Sequence, residues 1–104
     1  MDELTWLEKW FLSNCNGDWK HADGVRIETL DNPGWTLRIN ISGTKLEKES
    51  FKEIELERDK NNWLKCWVEK DSVTGSILFR GVGGPLNLNE ILKTFRIWNE
   101  KHLV

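Results

Sequence analysis

Tyrosine is absent from the 104-residue chain, while proline, cysteine and histidine each occur only twice. Each scarcity removes a class of protein. Cys15 and Cys66 stand far apart, with no CxxC pair and no histidine pattern beside them, which excludes a zinc-ribbon or redox motif. They read as two reduced, largely buried thiols of a cytoplasmic protein. No run approaches the roughly 18 apolar residues of a membrane span. The opening MDELTWLEKW is acidic and lacks the apolar stretch of a signal peptide. Basic charge is also lacking: 15 Lys and Arg face 17 Asp and Glu, for a net charge of −2. A general nucleic-acid binder carries the opposite balance. No GxSxG, Cys–His pair or phosphate-cradling loop occurs, and GVGGP (81–85) lacks the Lys and Ser/Thr of a P-loop. It reads as a strand ending before a capped helix.

What the chain does have is tryptophan, seven in all. With 38% apolar and 31% charged residues it belongs with soluble globular proteins, and its length fits a single domain, 1–104. The spacing predicts a helix over 2–14, with Leu4, Leu7 and Phe11 on one stripe and Trp6 and Trp10 beside it. From residue 24 the period becomes two. VRIETL and WTLRINIS flank DNPG, whose proline presets a turn and whose glycine tolerates positive φ, so they form a hairpin. A polar connection, GTKLEKES (43–50), follows.

Three further strands follow, the last with less clean alternation. FKEIELER turns Ile54 and Leu56 inward and Glu53, Glu55 and Glu57 outward. WLKCWVEK turns Leu64, Cys66 and Val68 inward and Trp63, Lys65, Trp67 and Glu69 outward, and SILFRGV is the fifth strand. The last helix carries Leu88, Ile91, Leu92, Phe95 and Trp98, with Asn87 as N-cap and Glu90 as its capping-box partner. The fold class is therefore α+β with two layers. It has about five strands in a mostly antiparallel meander, with N- and C-terminal helices on one face. The clean alternation leaves the other face to solvent or a partner.

Two regions carry candidate function. The first is that open face, where Glu53, Glu55 and Glu57 form an acidic ladder beside Trp63 and Trp67. Acid around an exposed aromatic suits docking of a basic protein, with charge steering the encounter and Trp anchoring it. The second is NGDWKHADG (16–24), which gathers Asp18, His21 and Asp23 around Trp19. A metal site needs three or four convergent ligands, and this spacing matches no known metal motif, so the stretch reads first as a turn.

The chain resembles the immunity protein 53 family of bacterial polymorphic toxin systems. The resemblance rests on LTWLEKWFLSNC, on NGDWKHADGVRIETLDNPGW (16–35) and on GGPLNLNEILKTFRIW (83–98). The family's Asp-Trp-x-His is met by Asp18, Trp19 and His21, and its hairpin by Leu30, Asp31, Asn32, Pro33, Gly34 and Trp35. The resemblance implies a small cytoplasmic protein that binds and neutralises a cognate toxin domain, without catalysis and without a cofactor.

On this reading Asp18, His21 and Asp31 form a second candidate toxin contact beside the acidic ladder and its tryptophans. The partner is a protein, with no nucleic acid and no membrane, and the chain is a monomer or weak homodimer. Two rival readings stand beside it. One is a small-ligand or carbohydrate-binding module that stacks on Trp63 and Trp67. The other is a metal-dependent enzyme built on Asp18, His21 and Asp23.

Overall fold

Asp2 opens the first helix, α1 (Glu3–Ser13), by accepting a 2.7 Å hydrogen bond from the Thr5 amide at Oδ1. The backbone amide of Thr5 also holds the Asp2 carboxyl below the usual carboxylate range. The computed structural model describes residues 1–15 and 24–102. Leu7 and Trp10 are buried, Trp6 and Phe11 partly so, whereas Leu4 is 55% exposed. The expected Leu4 stripe is thus displaced. The helix turns its tryptophans onto Phe95 of the last helix, at ring separations of 5.9 Å for Trp6 and 5.0 Å for Trp10.

Five strands follow: β1 (Val25–Leu30), β2 (Gly34–Asn40), β3 (Ile54–Asp59), β4 (Asn62–Lys70) and β5 (Ile77–Gly83). All neighbours pair antiparallel, in the order β1-β2-β5-β4-β3. Consecutive order holds within β1–β2 and within β3–β4–β5, and the two groups join where β2 lies beside β5. The connection from β2 to β3 therefore crosses to the far edge of the sheet. Its middle is not wholly polar, since Leu46 is fully buried in the core and pins the crossing.

The hairpin turn closes at Leu30↔Gly34, as the DNPG signal requires. Gly34 is there for a different reason from the expected one. Its φ is not positive; a Cβ at this position would meet the Gly83 carbonyl oxygen at 2.3 Å, so glycine permits close approach of β2 to β5.

The last helix, α2 (Leu88–Lys101), lies across β5, β2 and β4. Ile91, Leu92, Phe95 and Trp98 meet Leu37, Ile39, Leu64, Cys66 and Phe79 from the sheet. Phe79 is the hub, packed on Phe51 at 5.3 Å, Phe95 at 5.0 Å and Trp98 at 6.0 Å. Gly81 lets the helix sit this close, because a Cβ there would lie 2.4 Å from Ile91 Cγ2. The buried Trp98 indole donates to the Ser50 carbonyl at 3.0 Å, which avoids the cost of an unpaired donor.

Asn87 occupies the N-cap of α2, but its side chain does not cap the helix. It is diverted to the β3–β4 turn instead. Its Oδ1 accepts from the Trp63 amide at 3.0 Å, and its Nδ2 donates to Asn62 at 2.8 Å and Glu90 at 3.1 Å. Glu90 completes the clasp by taking both guanidinium nitrogens of Arg58 at 2.8 Å. Helix start and sheet corner are thereby tied together. No helix among the described residues is long and apolar enough to cross a membrane.

Candidate functional site

With the helices on one side, the strand alternation leaves Trp63, Lys65, Trp67 and Glu69 of β4 on the other. Their cross-strand partners define the open face. Glu57 lies opposite Trp63, and Glu55 opposite Lys65. The Glu53 carboxylate reaches the Lys65 ammonium at 3.3 Å. The acidic ladder and the two tryptophans thus share one surface. Glu53, Glu55 and Glu57 are exposed, and Trp63 and Trp67 are half-buried.

The register adds a feature that no single strand reveals. Trp67 lies opposite Arg80, Arg80 opposite Arg38, and Arg38 opposite Arg26, so three arginines run in one row across the sheet. Like charges placed opposite one another oppose pairing, and acids partly offset this. Asp71 holds Arg38 at 3.2 Å, and Glu69 stands 3.6 Å from Arg80. The backbone amides of Val73 and Thr74 donate to the Asp71 carboxylate and keep it below the usual range.

Trp67 is fixed at the head of this row. Its indole nitrogen donates to Glu69 at 2.6 Å, and the Lys65 and Arg80 cations stand 5.5 and 5.7 Å from its ring centre. The Arg80 Nε is buried and has no hydrogen-bond partner among the described residues. At one end of the face Leu78 and Asn40 are covered, at 2% and 6% exposure, whereas the β3 glutamates and, at the other edge, Arg26 and Glu28 are exposed.

The remaining candidates lie elsewhere. Asp31 is exposed in the β1–β2 turn, across the whole width of the sheet from β3, so it does not join the ladder. Asp18, Trp19, His21 and Asp23 fall outside the described residues. Among the described residues no group of three or more His, Cys, Asp or Glu is arranged to hold a metal ion.

The fully buried Cys66 thiol is pushed up to about 12 by desolvation, which suits packing rather than nucleophilic chemistry. Among the described residues, hollows of about 500, 250 and 280 Å³ are lined by residues other than Trp63 and Trp67.

A family model described as immunity protein 53 matches residues 4–100. The chain belongs to the immunity protein 53 family. No curated protein and no solved structure matches it. The matched span of this immunity protein runs from α1 nearly to the end of α2, so the family pattern covers both layers of the fold. Sequence reasoning places the acidic and aromatic residues of its open face but misses the arginine row. The only local signal is that Arg26, Arg38 and Arg80 each fall on the polar phase of a strand.

Proposed function

We propose that this immunity protein binds a cognate toxin domain of a polymorphic toxin system and neutralises it in the cytoplasm. It acts by occlusion rather than catalysis. The observation that carries the reading is the open face itself, where two half-buried tryptophans sit among exposed glutamates and ion-paired cations on a helix-backed sheet. Trp and Arg are the residues that most often dominate interface energy, and acidic groups around them steer a basic partner. Glu53, Glu55, Glu57, Trp63 and Trp67 are the proposed contacts, with Asp18, His21 and Asp31 as a second patch.

Co-expression with the toxin encoded beside it tests this directly. Cells survive, and the two proteins elute as one complex from gel filtration, if the reading holds. Cell death with no complex removes it.

A further inference from the structure

The two edges of the sheet differ in the charge they present. β1 bears both signs on its open-face side, Arg26 and Glu28. β3 is uniform: Glu53, Glu55 and Glu57 line that side of the strand and its approach, and Glu55 and Glu57 have no ion-pair partner among the described residues. On its other side the helices stop short. Leu56 is 38% exposed, and Ile97 of α2 is 43% exposed. Between β3 and α2 runs a groove of about 500 Å³, lined by Phe51, Ile54, Thr94, Ile97 and Trp98 together with the charged Lys52, Glu53, Glu55 and Lys101. An edge strand presents unpaired backbone groups along its whole length. Here that free edge carries an acidic row, and beside it runs a groove of mainly apolar and aromatic lining that Glu53 and Glu55 also border.

We infer that β3 accepts an extended protein segment as a sixth strand, with lysines or arginines alternating against aliphatic residues. The basic row of the incoming strand lies over Glu55 and Glu57, and the aliphatic row enters the groove beside Ile54 and Ile97. Main-chain hydrogen bonds supply affinity, and the two rows supply selectivity. A second copy of the chain is a poor occupant, because edge-to-edge pairing would set one glutamate ladder against another. The inference rests on the immunity reading for its natural occupant, a segment of the toxin domain.

The test uses the whole chain and a synthetic peptide alternating lysine and valine over about ten residues, the upper end of strand length. A shuffled peptide with all lysines before all valines is the control. Backbone pairing slows hydrogen exchange at the β3 amides, and the shuffled peptide binds roughly tenfold or more weakly because it cannot satisfy both rows. The double variant Glu55→Gln/Glu57→Gln, which leaves the core untouched, weakens the alternating peptide and spares the fold.

Equal binding of the two peptides overturns the inference, as does protection at β1 or nowhere. The immunity reading is judged separately, by complex formation with the toxin domain. A toxin complex whose β3 amides exchange as fast as in the free chain overturns the edge inference and leaves the immunity reading standing. Peptide protection at β3 with no toxin complex does the reverse.

Discussion

The two faces of the sheet are built from the same strands and obey opposite rules. On the covered face, Leu37, Ile39, Leu64, Cys66 and Phe79 are all 1% exposed or less and pack into one apolar and aromatic core. On the open face the same strands carry Arg38, Arg80, Lys65, Trp67 and Glu69, held by ion pairs and stacking over partly exposed groups. One face stores the free energy of folding. The other, worth little to stability because its charges remain hydrated, is available for recognition.

Breaking the covered face has the largest expected effect. Phe79→Ala removes the hub of the aromatic cluster and costs about 3–5 kcal/mol, read as a lowered urea midpoint at unchanged slope. Trp67→Ala sharpens the contrast from the other side. Affinity for the toxin falls by about 2 kcal/mol or more, as for an interface anchor, while stability falls by only about 1 kcal/mol, from lost partial burial. Calorimetry on the complex and unfolding of the free chain separate the two; equal losses would make Trp67 a core residue.

Gly81→Ala comes next, at about 1–3 kcal/mol of overpacking, because the added methyl meets Ile91 Cγ2. The double variant Gly81→Ala/Ile91→Ala should lose less than the two single changes summed, since truncating Ile91 removes the clash.

Reversing Glu53, Glu55 and Glu57 to lysine should shift stability by no more than about 0.5 kcal/mol, because all three are exposed. Association with a basic toxin should slow and its salt dependence flatten, measurable by stopped flow. An unchanged on-rate moves the interface off this face.

The smallest expected effect is on pH dependence. Hydrogen bonding from Arg58 holds the Glu90 carboxyl below its ordinary value of 4.5. A lowered folded-state value means that the stabilisation is present above pH 4.5 and is lost as pH falls through the folded-state value. Unfolding midpoints measured down the acid limb should show this slope, and Glu90→Gln should shallow it.

Much of the contrast between the faces is legible in the amino-acid sequence. Alternation in β1, β2 and β4 identifies which side chains face the helices, and the DNPG turn sets the hairpin register. Leu4 departs from its expected stripe because a helix with apolar residues on several faces has no unique buried one; contact with Phe95 chooses it. Leu56 points to the covered face as its alternation requires, yet it stays 38% exposed because the helices do not reach the sheet edge. The Asn87–Glu90 pair has the spacing of a capping box, but the nearby β3–β4 turn offers Asn87 other partners.

Taken alone, the sequence specifies the order and kind of the elements, the two-layer class, the acidic and aromatic content of β3 and β4, and the resemblance to the immunity protein 53 family. These follow from local periodicity and turn chemistry, which act within a few residues. That β2 lies beside β5 emerges only in the packed fold. This single non-consecutive pairing aligns Arg26, Arg38 and Arg80 with Trp67 and demands glycine at position 34. It also leaves β3 as a free acidic edge. Residues distant along the chain become neighbours through burial of a shared core, and no local pattern encodes which strands that burial brings together.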